Sequence, residues 1–131
     1  MAKDVQYFAP RTLEEALQIL GTHGAQIRVL AGGTDLVRDM NLGEADPKMI
    51  MWIGHLGLEY IKEEDGAIRI GAATRMQTAG SSDLLKQKAA ALAKAAGKLA
   101  SPPVRSLATR GGNICTASPA GDTVCAMRGL G

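Results

Sequence analysis

The sequence predicts an α+β fold. A small N-terminal parallel βαβαβ subdomain is followed by part of a second α+β subdomain with an antiparallel sheet. Up to Ile53, short apolar runs alternate with helix-periodic segments, the pattern of strands and crossover helices in a parallel sheet. Past His55 an Asp-Gly pair sits between two alternating segments, the strongest short-range hairpin signal. An alanine-rich helical stretch then leads into a loop dense in glycine and hydroxyl side chains. The change of pattern near residue 54 divides one domain into residues 1–54 and 55–131. At 131 residues, the chain is long enough for one modest core.

Val5–Phe8 is the first strand. Thr12 caps a helix through about Leu20, with Glu14 and Glu15 in the first turn, where carboxylates complement the exposed N–H groups. Leu13, Ala16, Leu17 and Leu20 recur at helical spacing as the expected buried stripe. Gly21 and Gly24 end this helix, and Gln26–Ala31 is the next strand. Leu36, Val37 and Met40 mark a short helix closing near Asn41-Leu42-Gly43. Met49–Ile53 is a third strand, apolar throughout and therefore expected to be covered on both faces.

Tyr60–Glu63 and Ala67–Ile70 pair around the turn Glu64-Asp65-Gly66. Thr74 is expected to cap a short helix around Arg75–Ala79. Ser82 or Asp83 caps a longer one running to about Leu99, with Leu85, Leu92 and Leu99 one heptad apart on a core-facing stripe. Ser101-Pro102-Pro103 stops it. A glycine-rich loop follows, then a final helical turn from Thr123 to Met127.

Two loops carry the chemistry. The first lies in RVLAGGTDLV, Arg28–Val37, where an apolar segment stops at Gly32 and Gly33 and resumes with helical spacing. Glycines there let the backbone turn sharply and approach a ligand. Thr34 or Asp35 can cap the following helix, whose first N–H groups have no partners of their own. Such N–H groups form an anion site, most often for phosphate. An ordinary strand–turn–helix corner accounts for the same residues.

The second loop is ATRGGNICTASPAGD, Ala108–Asp122, rich in hydroxyl and amide groups and closed by a carboxylate. Loops of this kind are functional or disordered, and Ile114, Val124 and Met127 supply apolar anchors against disorder. Two phosphate-style loops suggest a dinucleotide held from two sides. Neither loop is a Rossmann Gly-x-Gly-x-x-Gly or a P-loop ending in Gly-Lys-Ser/Thr.

Composition excludes other classes. A net charge of +2 gives no nucleic-acid signal, and one Trp, two Tyr and one Phe are too few for base-stacking platforms. No apolar run reaches membrane-spanning length, and the start lacks a signal peptide's apolar stretch, so a cytoplasmic location is expected. Cys115 and Cys125 match no zinc or iron–sulfur spacing and are expected as free thiols. His23 and His55 stand without partners spaced to form a metal site or catalytic dyad. No residue has the setting of a general base or nucleophile.

The pair AGGTDL and ATRGGNICTASPAGD resembles the loops of the FAD-binding subunit of the molybdenum hydroxylases, the xanthine dehydrogenase and aerobic carbon monoxide dehydrogenase family. Phe8–Leu17 (FAPRTLEEAL) is similar to the family's opening Pro-x-Thr-Leu-Glu-Glu-Ala-Leu, and Ile70–Thr74 (IGAAT) to its Ile-Gly-Ala strand end. The resemblance implies FAD held between the two subdomains. The first loop, Leu30, Ala31, Gly32, Gly33, Thr34, Asp35 and Leu36, would contact the pyrophosphate through backbone N–H groups. The second would reach the cofactor through Thr109, Gly111, Gly112, Asn113, Thr116 and Asp122, with Asp122 accepting from ribose or ribityl hydroxyls. For Asn113 and Thr116, loop-closing bonds to the backbone remain an equal alternative.

The resemblance further implies iron–sulfur and molybdopterin partner subunits, with electrons passing through FAD to NAD or another acceptor. Arg110 stands where the family usually has an apolar residue, Ser106 where it often has Asn, and Cys125 where Pro is common. Comparable subunits continue well past the second loop. The chain is therefore expected to be an FAD-binding domain incomplete at its C-terminus, able to self-associate as a homodimer. A non-catalytic remnant and a small module for another nucleotide diphosphate are the alternatives.

Overall fold

Three short strands, β1 (Gln6–Phe8), β2 (Ile27–Leu30) and β3 (Met49–Trp52), form a parallel sheet in the order β1-β3-β2. The structure, a computed structural model, describes residues 4–116 and 126–128. Helix α1 (Leu13–His23) joins β1 to β2, and α2 (Leu36–Asn41) joins β2 to β3, giving the expected βαβαβ order. The apolar run of β3 follows from its central place. Ile50 sits in register between Tyr7 and Arg28, Met51 between Phe8 and Val29, and both are buried.

Thr12 caps α1 as expected. Its hydroxyl accepts from the Glu15 N–H at 3.1 Å, and the Glu15 carboxylate accepts the Arg11 N–H at 3.0 Å. Gly24, at φ 54°, ends the helix. The buried stripe is narrower than its spacing suggests. Ala16 is buried, and Ile19 and Leu20 pack beside it on Ile27 and Met51, whereas Leu13 and Leu17 are 56% and 58% exposed. A sheet of three short strands is too narrow to cover the whole apolar face of a helix.

Strands β4 (Ile61–Glu64) and β5 (Ala67–Ile70) pair antiparallel, with Glu64 opposite Ala67. Glu64 thus belongs to the ladder, and the turn is Asp65-Gly66 alone. Both turn residues have positive φ, 53° and 76°, the condition for a type I′ turn, whose twist matches that of the strands.

Beyond the hairpin, packing overrides several local signals. Thr74 does not cap α3 (Met76–Ser81), whose N-cap position is held by Arg75. Its buried hydroxyl instead accepts the Tyr60 N–H at 3.1 Å and donates to the Tyr60 carbonyl at 2.9 Å, tying the hairpin to the helix start. The long alanine-rich helix is broken at Ala89, whose φ of −145° and ψ of 53° leave the helical region. The halves are α4 (Asp83–Lys88), capped by Ser82 through the Leu85 N–H at 3.3 Å, and α5 (Ala90–Lys98).

The break brings Leu85, Ala89, Leu92, Ala93 and Ala96 into one cluster with Met76, Ala79 and Ala108. A propensity difference of well under ~1 kcal/mol per residue cannot hold a straight helix against that burial. Helices α3 and α5 touch at Gly80 and Gly97, where a Cβ on Gly80 would lie 2.8 Å from the Gly97 Cα.

The proline pair does more than stop a helix. Pro102 and Pro103 open α6 (Pro102–Leu107), where a missing N–H is harmless. The second glycine-rich segment is also not a loop throughout, since Arg110–Thr116 forms α7. Residues 126–128 are helical, and the rest of the expected final turn lies outside the described residues.

Candidate functional site

Strand β2 ends at Leu30, whose carbonyl accepts the Ile53 N–H at 3.0 Å. The chain then turns over Ala31-Gly32-Gly33 into α2, and residues 30–36 are all half-buried. Gly33 has φ 77°, a left-handed conformation that a side chain would strain. Gly32 is needed for a different reason than the sequence suggests, because a Cβ there would overlap the Leu107 carbonyl. The end of α6, which leads into the second glycine segment, is therefore seated on the first glycine turn.

No side-chain cap forms on α2. Asp35 occupies the N-cap position, and its carboxylate faces the Arg38 guanidinium at 3.5 Å. Arg38 also donates to Asp39 through Nε at 3.0 Å and Nη2 at 2.8 Å, and that hydrogen bond raises its pKa. With only six residues, α2 carries a small dipole. What the turn offers an anion is its backbone. Among the described residues, none accepts a hydrogen bond from the N–H groups of Gly32, Gly33 or Thr34.

The second segment is bound to the strand end that follows β5. Met76 N–H donates to the Ala108 carbonyl at 2.8 Å, Arg110 N–H to Thr74 at 3.0 Å, and Gly111 N–H to Ala72 at 2.8 Å. Thr109 is buried, and its hydroxyl accepts the Gly112 N–H at 3.1 Å, capping α7. A Cβ on Gly111 would lie 2.9 Å from the Ala72 carbonyl oxygen. Thr109, Gly111 and Gly112 thus use these groups to fix the backbone. Asn113 and Thr116 lie on α7, with side chains outside the description, and Asp122 falls outside the described residues.

The structure brings the two glycine segments together at Gly32 and Leu107. Sequence reasoning missed Leu107 and the Ala72–Thr74 support. The signal for the latter was the run of small residues Gly71-Ala72-Ala73, which lets one backbone lie close on another: a Cβ on Gly71 would overlap the Leu58 carbonyl. It also missed the burial of Arg110, which the departure from an apolar residue could have flagged.

In fold class the chain is like the corresponding part of molybdenum-cofactor dehydrogenases. It superposes on a chain of carbon monoxide dehydrogenase from Hydrogenophaga pseudoflava with a TM-score of 0.89 and 34% identity, covering 94% of this chain and 43% of that one. The family described as "FAD binding domain in molybdopterin dehydrogenase" matches residues 3–131. The chain belongs to that family. It is 41% identical over 130 residues to the nicotinate dehydrogenase FAD-subunit of Eubacterium barkeri, covering 98% of this chain and 44% of the relative. Its identity to the carbon monoxide dehydrogenase medium chain of Hydrogenophaga pseudoflava is 36% over 118 residues, covering 89% and 41%. The chain spans less than half the length of these relatives. Among its described residues, no helix is long and apolar enough to cross a membrane.

Proposed function

We propose that these residues form the diphosphate-binding part of the FAD subunit of a molybdenum hydroxylase that works in the cytoplasm. In this reading FAD lies between residues 1–54 and a second subdomain that begins at residue 55. Iron–sulfur and molybdopterin subunits are its partners, and NAD or another acceptor takes the electrons. FAD, when bound, supplies the redox chemistry, while the chain supplies grip and orientation.

The observation that carries the proposal is the half-buried turn with three N–H groups, of Gly32, Gly33 and Thr34, that no described residue uses. Such amides suit the oxygens of a pyrophosphate. Leu30, Ala31, Asp35 and Leu36 frame this turn, and Arg38 offsets the Asp35 charge that would otherwise repel the ligand. Thr109, Gly111 and Gly112 shape the second wall. Asn113, Thr116 and Asp122 are assigned to side-chain contacts, with Asp122 accepting from sugar hydroxyls. Medium-chain and FAD-subunit relatives support the assignment to a multi-subunit enzyme.

Binding by the 131-residue chain alone is expected to be weak, because the relatives extend well beyond the matched segment. Fluorescence anisotropy of FAD and of riboflavin, each titrated with the protein, tests the assignment. FAD should bind at least tenfold tighter than riboflavin, and ADP should compete with it. Equal binding of both flavins, or no competition by ADP, would remove the diphosphate cradle.

A further inference from the structure

The β4–β5 hairpin has a definite hydrogen-bonding phase. The Gly71 N–H donates to the Tyr60 carbonyl at 2.9 Å, and pairing steps from there through Ile61 opposite Ile70 to Glu64 opposite Ala67. In an antiparallel pair, residues that exchange backbone hydrogen bonds alternate with residues whose N–H and C=O point away. Tyr60, Lys62 and Glu64 therefore turn these groups toward β5, while Ile61 and Glu63 turn theirs to the outer edge of β4. Among the described residues no strand pairs with that edge. The side chains divide by face. Ile61 packs on the helical cluster, and Glu63, on the same face, pairs with Lys88. Lys62 and Glu64 lie on the outer face, where Lys62 stands directly opposite Arg69, a like-charge pair that costs stability. Glu64 serves both cations, at 3.4 Å from Lys62 and 3.0 Å from Arg69.

We propose that the outer edge of β4 binds β4 of a second copy of this chain, antiparallel, about a two-fold axis at Glu63. The product is a four-stranded sheet in the order β5-β4-β4-β5. Glu63 of each copy exchanges backbone hydrogen bonds with its equivalent. Lys62 of each copy then faces Glu64 of the other in a non-hydrogen-bonded pair, where Cα atoms lie ~4.5 Å apart. Each Lys62 thereby gains a second carboxylate, and the two Glu63 side chains meet already neutralised by Lys88. Charge selects this register. Moving the axis to Lys62 or to Glu64 sets that residue against its own copy, like charge on like. The β5 edge offers no equivalent, since an axis at Arg69 opposes two guanidiniums and an axis at Ile68 sets Arg69 against Ala67. A two-stranded ribbon, marginal alone, becomes a sheet of four with its most charged edge closed.

Charge reversal tests the pairing, and needs no flavin. Lys62→Glu and Glu64→Lys each place like charges opposite one another across the axis of a homodimer. An equimolar mixture of the two variants restores opposite charges at both positions. In sedimentation velocity the wild type should dimerise, each variant alone should dimerise roughly tenfold more weakly, and the mixture should regain the wild-type strength. Glu63→Pro removes the N–H that points outward and keeps the ladder to β5. It should be monomeric with an unchanged circular dichroism spectrum, and if it does not fold the mixture decides alone. The proposal would be overturned by a wild type that is monomeric at every concentration, by a mixture no tighter than its components, or by a folded Glu63→Pro variant that still dimerises. Assemblies that keep growing with concentration would also overturn it, because a two-fold contact closes at two copies.

Discussion

Gly32 and Gly33 stand side by side and lack side chains for different reasons. Gly33 holds a φ of 77°, and a Cβ there would lie 3.1 Å from the Val37 Cγ2 and 3.3 Å from the Leu30 Cδ1, side-chain atoms that need give only a few tenths of an ångström. Strain of this kind costs ~1–2 kcal/mol. A Cβ on Gly32 would instead overlap the Leu107 carbonyl, a backbone atom that moves only if α6 moves. Forced overpacking costs roughly 1–3 kcal/mol or more. Gly32→Ala is therefore expected to destabilise the fold more than Gly33→Ala, the reverse of a ranking by backbone conformation alone. Urea denaturation followed by circular dichroism measures both, and a larger loss in Gly33→Ala would show that the packing of α6 on the first turn is not as described. Thr109 teaches the same caution. Its hydroxyl caps α7 through the Gly112 N–H, so a polar residue in a binding motif can serve the backbone first.

The β4–β5 hairpin isolates the contribution of a turn. Nothing lies within 4 Å of a Cβ placed on Gly66, and its φ is 76°. Gly66→Val should then cost only backbone strain, ~1–2 kcal/mol, whereas Asp65→Asn, in a position where Asn is equally suited, should be near neutral. Equal urea midpoints for the wild type and Gly66→Val would mean that the turn does not anchor the hairpin. That turn was legible in the sequence because Asp-Gly encodes it locally, as Thr12 and Glu15 encode the start of α1. The three parallel strands were legible for a similar reason, their apolar runs being short and separated by helical periodicity. The break at Ala89 was not, since alanine favours helix throughout and only the cluster around Met76 and Leu85 demands the bend. Nor was α7, whose Gly111 and Gly112 read as loop but are held by the Ala72 carbonyl and the Thr109 hydroxyl. Of the candidate site, the first turn could be placed from sequence. Its contact with Leu107 could not, because nothing local encodes a contact between residues so far apart in the chain.

At the scale of the molecule, the two sheets leave surface that a partner can cover. The hairpin consists of two strands only, so among the described residues the outer edges of both are unpaired. Two strands alone are marginal in water, and these are steadied from one side by Ile61, Ile68 and Ile70 packing on the helical cluster. Their outer face is guarded by charge, with Glu64 paired to Lys62 at 3.4 Å and to Arg69 at 3.0 Å, a pattern that discourages stacking but leaves the edges open. On the other sheet, Tyr7 and Val29 are 58% and 47% exposed, and Leu13 and Leu17 on α1 add further apolar surface. Open edges and exposed apolar side chains together favour association of identical chains, most simply with two-fold symmetry. The 131-residue chain is accordingly expected to elute as a dimer that carries little flavin, as measured by light scattering during size exclusion and an absorption spectrum of the peak. A monomer at every concentration, yellow with stoichiometric FAD, would show that these residues enclose the cofactor unaided and that neither the edges nor the apolar patch seeks a partner.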